Sequence, residues 1–359
     1  MAKQVADVVI HATDSKNTVE EDISVDCIDE GLFLGNLACA RDYNTLKRLQ
    51  ITHVLTIDVV PLPRTVLAHT EFTFKFIKLA DVTKEDLISH LPETNEFIKQ
   101  AISSGGTVLV HCYFGVSRSA AVVIAYIMEK YGLCYDEAFS LVKSKRRFIG
   151  PNLGFVAQLK LFGHMEYKIN KDDPRFKQFR LRVAGQMLKQ VKILPQSFAD
   201  LIKPDPALVR ERPDPIVYRC KKCRRVLASQ ANIIPHLPRD LRIQLAKKVV
   251  VATRLAIFQV VDGYSELNLV DASTCHPESS SSADICRAMW FVEPLGWMPR
   301  VGQRHSGKLH CPKCTNKVGS FNWIMGCKCP CGQKVAPAFY LVPSKVEWSN
   351  IVQNVQVTV

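Results

Sequence analysis

One stretch, Thr107-Val-Leu-Val-His-Cys-Tyr-Phe-Gly-Val-Ser-Arg-Ser119, restricts the fold of this chain more than any other. Thr107 to Val110 is short, apolar and rich in β-branched residues, the pattern of a strand buried on both faces. His111 to Arg118 contains a Gly and a Ser and reads as a tight loop, and Ser119-Ala-Ala-Val122 opens a helix. Strand, tight loop and helix in that order form the unit of α/β sheets, in which the loop lies at the strand's C-terminal end. Successive N–H groups of such a loop can turn inward, and the following helix adds its positive end, so the loop cradles a tetrahedral dianion. Cys112 stands at the mouth of the cradle, where a helix N-terminus favours the thiolate. Arg118 adds a planar fork of donors matched to two phosphate oxygens.

HCYFGVSRS resembles the H-C-x-x-G-x-S-R-S loop of the cysteine-dependent dual-specificity protein phosphatases, with the Cys, Gly, Arg and both serines in register after a strand. Phe114 departs from the Ala of many relatives and is expected to shape the pocket rim. The segments LFLGN, ITHVLTI and KRRFIGPNLGFVAQL also look like parts of that family, so the resemblance covers residues 24–168. It implies an α/β cysteine-phosphatase fold, with a central, mainly parallel sheet flanked by helices. It also implies roles. Cys112 would attack phosphorus, and Ser119 would donate a hydrogen bond to the departing thiolate. Arg118 and the amides of Tyr113, Phe114, Gly115, Val116, Ser117 and Arg118 would hold the equatorial oxygens. The family's general acid lies on a loop upstream of the Cys, where Asp81 follows a strand. Asp86 is the rival acid, but it precedes an apolar stretch and reads as a helix cap. His111 is expected to orient the loop, and Asn152 and Phe155 to serve packing and turns. Loops of this type that favour inositol phospholipids tend to carry lysines. Tyr113, Phe114, Val116 and Ser117 carry no charge, which favours protein phosphoesters on tyrosine, serine and threonine alike. No cofactor is needed for that chemistry.

The surrounding pattern supports an α/β domain over 24–170. Residues 1–23 look disordered, and Ile23 to Gly35 alternates around a DEG turn as a hairpin does. A helix is predicted over 41–49, strands over 52–57 and 72–79, and a helix from Leu91 to Ser103 ending at Gly105-Gly106. Further helices are predicted over 119–131, 135–143 and 153–169. Residues 171–216 read as a basic, Pro-punctuated linker. Within it, Lys177 to Lys192 forms a basic amphipathic helix expected either to pack on the phosphatase domain or to bind a ligand.

Beyond residue 165 the composition changes. Lys and Arg number 17 against 19 Asp and Glu up to that point, and 30 against 15 after it, so the whole net charge of +13 arises in the second half. Of the 13 cysteines, four lie early (Cys27, Cys39, Cys112, Cys134) and nine from Cys220 onward. The N-terminus has no signal-peptide core and no apolar run approaches the ~20 residues of a membrane span. The chain is therefore expected inside the cell, in nucleus and cytoplasm and without a membrane. There, clustered thiols bind metal more often than they pair as disulfides.

Cys220-Lys-Lys-Cys223 and Cys311-Pro-Lys-Cys314 are CxxC knuckles, whose two thiolates reach one tetrahedral Zn²⁺, and Cys327-Lys-Cys-Pro-Cys331 supplies three more thiols. Two structural zinc ions in a small β-rich domain over 217–350 are expected. Cys311, Cys314, Cys329 and Cys331 make the most local four-sulfur set. Cys220 and Cys223 then need partners from His236, Cys275, His276, Cys286 and His305. This half resembles the zinc-binding region of the dual specificity protein phosphatase 12 family. On that resemblance His236 and Cys286 are the partners of Cys220 and Cys223. Cys327 is extra to the pattern, and a crossed pairing of the two sets stays open. The resemblance also implies an alternative role in large-ribosomal-subunit assembly, through contact with a pre-ribosomal particle or ribosomal RNA. Trp290, Trp297 and Trp323 are candidates for stacking on bases, or for burial in a small core. The Ser279 to Ser282 run reads as a flexible loop.

Overall fold

The computed structural model describes residues 22–209, 214–236, 238 and 286–350. The expected disordered N-terminus up to position 21, Cys275, His276 and the Ser279 to Ser282 run lie outside the described residues. The chain divides into two compact units, one ending at Ile169 and the other beginning at Asn170.

In the first unit, β1 (Val25–Asp29) and β2 (Leu32–Gly35) form the expected hairpin. With β3 (His53–Asp58), β4 (Thr73–Lys78) and β5 (Val108–His111) they make a five-stranded sheet of order β1-β2-β5-β3-β4, parallel except for the hairpin. β5 takes the centre, and its four residues are all buried.

The helices are α1 (Leu37–Arg41), α2 (Tyr43–Arg48), α3 (Arg64–Leu67), α4 (Leu91–Ser103), α5 (Arg118–Tyr131), α6 (Tyr135–Lys145) and α7 (Leu153–His164). Two differ from the sequence expectation. The helix over 41–49 is split, because Asp42 turns extended and accepts a hydrogen bond from Thr45 N at 2.7 Å. Asp favours such a cap over a helix interior. α7 stops short of 169, since Glu166 and Tyr167 adopt φ of 54 and 60. α5 is buried without a break from Arg118 to Met128, as befits a helix that is apolar on all sides. It packs against β5 and against α4, α6 and α7. The loop between β5 and α5 is thereby anchored at both ends in the core.

The second unit opens with α8 (Pro174–Val191), capped by Asp173. Three antiparallel strands, β6 (Ile216–Cys220), β7 (Val226–Ser229) and β14 (Val346–Asn350), form one sheet of order β14-β6-β7. β8 (Trp290–Phe291), β9 (Ser306–His310), β10 (Lys317–Asn322) and β13 (Ala338–Leu341) form a second of order β8-β13-β10-β9. β11 (Cys327–Lys328) and β12 (Lys334–Val335) make a small hairpin.

One expectation for this half is corrected. Within the predicted linker 171–216, residues 174–201 are built into the second unit rather than linking. Leu181, Ala184 and Leu188 of α8, with Phe198 and Leu201, belong to the core that holds Trp323, Phe321 and Phe339. Lys177, on the same helix, donates to Ala231 O at 2.9 Å and to Glu293 Oε2 at 3.2 Å. The amphipathic helix read from the sequence is present, and its apolar face packs into this core. Of the two readings of the tryptophans, burial in the core holds for Trp297 and Trp323. They are 9% and 1% exposed, and their indole N–H groups donate to Leu227 O at 2.7 Å and Val301 O at 2.8 Å. Trp290 is half-buried, edge-on to Tyr218.

Candidate active site and metal centres

The β5–α5 loop, the segment after β4 and the entry to α7 converge on one cleft of about 360 Å³, lined by Asp81, Cys112, Phe114, Val116, Ser117, Arg118, Gly150 and Asn152. Cys112 is 2% exposed. Its Sγ accepts hydrogen bonds from Gly115 N at 3.2 Å and from Ser119 Oγ at 3.1 Å. Two donors thus point at one sulfur and fix its position within the loop. Gly115 has φ of 69, and a Cβ there would come within 2.5 Å of Gly35 O, so the loop takes this shape only with glycine at the position.

Asp81 Oδ1 accepts from Ser117 Oγ at 2.7 Å and from Asn152 Nδ2 at 2.8 Å, and Ser117 Oγ in turn accepts from Asn152 N at 3.1 Å. A carboxylate oxygen is thus carried to the cleft wall by the first residue of the loop's helix cap and by the N-cap of α7. Gly154 lies so close to the Thr83 carbonyl that a Cβ would collide with it, which clamps α7 on the Asp81 loop. Asn152 therefore has more to do than the packing and turn role read from the sequence. Asp86 accepts from Ser89 N at 3.1 Å and Ser89 Oγ at 2.8 Å, just before the single turn Ile88–His90. His111 is fully buried and bonds Thr56 Oγ1 through Nε2 at 2.8 Å. Burial lowers its pKa to about 4, so it holds the loop as a neutral ring.

Asp58 is the residue that sequence reasoning missed. Its Oδ1 accepts from Arg118 Nη1 at 2.6 Å, and the carboxylate is 5% exposed. Among the described residues Arg118 Nε is buried with no partner. Asp58 thus holds one end of the guanidinium and leaves donors on it for two oxygens of a phosphate. The available signal was an acid ending the buried run 53–58, on the strand next to β5. Replacing Asp58 by Asn keeps the shape and removes the charge that orients Arg118. We expect kcat/KM for p-nitrophenyl phosphate to fall by about tenfold or more, with weaker inhibition by inorganic phosphate. Tighter phosphate inhibition would mean that Asp58 merely neutralises Arg118.

In the second unit, Cys220, Cys223, Cys311 and Cys314 form one group and His236, Cys286, Cys329 and Cys331 another, each with its ligand atoms within 4.8 Å of one another. The most local assignment of the sulfurs is therefore corrected to the crossed one. The reason is tertiary: the β6–β7 and β9–β10 turns bring their knuckles tip to tip. The two knuckles share one backbone pattern. Cys220 N donates to Arg225 O and Cys311 N to Asn316 O, both at 2.9 Å, while Arg224 N and Thr315 N close the turns on Cys220 O and Cys311 O. Arg224 and Thr315 both adopt positive φ, 65 and 56.

The donor sets fit zinc. Bonds of about 2.3 Å to sulfur and about 2.0 Å to nitrogen put tetrahedral sulfurs about 3.8 Å apart, and sulfur and nitrogen about 3.5 Å. Cys220–Cys314 and Cys286–Cys329 are separated by 3.7 Å, Cys223–Cys311 by 3.5 Å, and Cys331 Sγ–His236 Nε2 by 3.5 Å. Four protein ligands per group leave no open position, the mark of a structural metal. Cys327 belongs to neither group, and its thiol is turned to Lys328 O at 3.6 Å. His305 Nε2 lies 3.2 Å from Leu188 O and tethers α8.

Residues 32–165 match the family described as dual specificity phosphatase, catalytic domain. The chain is 47% identical to dual specificity protein phosphatase MPK-4 of Drosophila melanogaster, over 94% of this chain and 91% of that protein. It is 34% identical to dual specificity protein phosphatase 12 of Mus musculus over 88% of this chain and 86% of the other. With tyrosine-protein phosphatase YVH1 of Saccharomyces cerevisiae the identity is 29% over 92% and 93%. Similarity that runs through both the Cys112 loop and the paired cysteine groups settles the affiliation: the chain belongs to the dual specificity protein phosphatase 12 family of dual-specificity protein phosphatases.

Proposed function

We propose that the chain hydrolyses phosphotyrosine and phosphoserine or phosphothreonine in proteins through a cysteinyl-phosphate on Cys112. The observation that carries this reading is the convergence of Cys112, Arg118 and Asp81 on one cleft. The Cys112 thiolate attacks phosphorus while Arg118 and the loop amides hold the equatorial oxygens. Asp81 gives its proton to the leaving oxygen as the P–O bond breaks. It then takes a proton from the water that attacks the cysteinyl-phosphate, and Ser119 Oγ donates to the sulfur as it leaves. Asp81→Asn tests the assignment. We expect turnover of alkyl phosphates to fall about 10²–10⁴-fold and that of phosphates of very acidic phenols to fall far less. Equal losses on both would reject Asp81 as the acid.

The second half, we propose, binds two structural zinc ions, which when bound hold its knuckles together and take no part in hydrolysis. A second reading makes this half the biological effector, with catalysis dispensable. Its support is the uneven charge, 30 Lys and Arg against 15 Asp and Glu beyond residue 165. That excess suits an acidic partner such as ribosomal RNA or a pre-ribosomal particle, and with it residence in nucleus and cytoplasm. Rescue of a null cell by full-length Cys112→Ser separates the readings. A truncated version must begin at residue 170, because α8 is part of this unit's core. If neither the variant nor that truncation rescues, the effector reading fails.

A further inference from the structure

We infer that Arg146, held by Asp26, is a positioning residue for this reaction: it turns the amides of the Cys112 loop toward the phosphate. A peptide unit is planar and trans, so its C=O and the next residue's N–H point in opposite directions. An inward N–H therefore requires an outward carbonyl on the residue before it, and every buried carbonyl needs a donor. Around this loop the donors can be named one by one. Tyr113 O accepts from Leu37 N at 3.0 Å, Val116 O from Gly150 N at 2.9 Å, and Ser117 O from Ala121 N at 2.8 Å. The two carbonyls between them, on Phe114 and Gly115, accept from a single side chain, Arg146, through Nη2 at 3.5 Å and Nε at 2.9 Å. All other braces are backbone groups. Arg146 is the one brace that a side-chain substitution removes.

Its surroundings suit that task. The Arg146 side chain is 0% exposed, so it touches no substrate, and Nη1 donates to Asp26 Oδ2 at 2.6 Å. The guanidinium lies over the Phe148 ring at 4.1 Å. A buried cation needs such a counter-charge and filled hydrogen bonds. The rigid fork reaches two neighbouring carbonyls at once, which a lysine ammonium does not. A Cβ on Gly115 would stand 2.7 Å from Arg146 Nη2, so the loop rests directly on the guanidinium. The N–H that follows the braced Phe114 carbonyl is the one that donates to Cys112 Sγ. Arg146 thus reaches both the anion cradle and the sulfur through the loop backbone.

This inference rests on the reading of Cys112 as the nucleophile, so its test uses readouts other than turnover alone. Arg146→Lys and Asp26→Asn are made in the full chain. Binding of inorganic phosphate, the pH dependence of Cys112 alkylation by iodoacetamide, kcat, KM and the melting temperature are then measured. For Arg146→Lys we expect phosphate binding to weaken about tenfold and kcat/KM to fall on the order of 100-fold, as a mis-aimed cradle should give. The midpoint of alkylation should move to higher pH. Asp26→Asn should shift all three the same way by less. A folded Arg146→Lys protein that binds phosphate and is alkylated like the parent overturns the inference, as does a lowered melting temperature with both readouts unmoved. If Arg146→Lys does not fold, Asp26→Asn decides by the same readouts, since the Asp26 side chain is 30% exposed and its loss spares the packing.

Discussion

Replacing Cys112 by Ser should lower kcat/KM for phosphotyrosine peptides by at least about 10⁴-fold while leaving phosphate binding in place. The hydrogen bonds from Gly115 N and Ser119 Oγ end on the sulfur at 3.2 and 3.1 Å. A serine hydroxyl is a far weaker nucleophile than the sulfur it replaces. Arg118, Asp58 and the loop amides are untouched by the change, so the cradle still takes the dianion. The variant should therefore retain phosphorylated peptide and fail to release phosphate, read by equilibrium binding beside a hydrolysis assay. Activity within tenfold of the parent would remove Cys112 from the nucleophile's role.

Stripping metal with a chelator should unfold the second unit and spare the first. Apparent binding energies of structural zinc are about 10–16 kcal/mol, as large as the whole ~5–15 kcal/mol stability of a domain. Each centre also joins distant parts of the chain: the paired ligands lie 94 and 88 positions apart in one group and 43 and 95 in the other. Without the ion those loops reopen and the strands beside them are short. We expect loss of β-sheet circular dichroism and of the buried-tryptophan emission of Trp297 and Trp323, while p-nitrophenyl phosphate turnover persists. Metal analysis should give two zinc per chain in the parent and in Cys327→Ser, and fewer in Cys314→Ser. A parent value well below two, or loss of an ion with Cys327→Ser, would contradict the two closed sets.

The proposed reacting groups of the first unit were legible because they are local. Cys112, Gly115, Arg118 and Ser119 lie on one loop and helix start, and the flanking residues announce both elements. Asp81 was legible through resemblance and Asp58 was not. Asp58 comes from a neighbouring strand, and only the parallel pairing of β3 with β5 brings its carboxylate to Arg118. Arg146 was hidden for a related reason. In the run Lys143 to Arg147 it looks like one more surface cation, yet its side chain is 0% exposed. The α8 segment was legible as an amphipathic helix, but not which core takes its apolar face.

His236 and Cys286 were reached only through resemblance, whereas the sequence by itself determined the Cys112 loop and the cysteine knuckles that can bind metal. Both follow from residue type and short spacing, since a loop of a few residues or a CxxC turn has few shapes to adopt. The tertiary structure decided how those groups are combined. It joined Cys220 and Cys223 to Cys311 and Cys314, and left His236 and Cys286 to Cys329 and Cys331. It also drew α8 into the second core and set Asp58 and Arg146 around the anion loop. Each of these depends on which hairpins and strands end side by side. Strand order and packing set that proximity, and no local spacing records it.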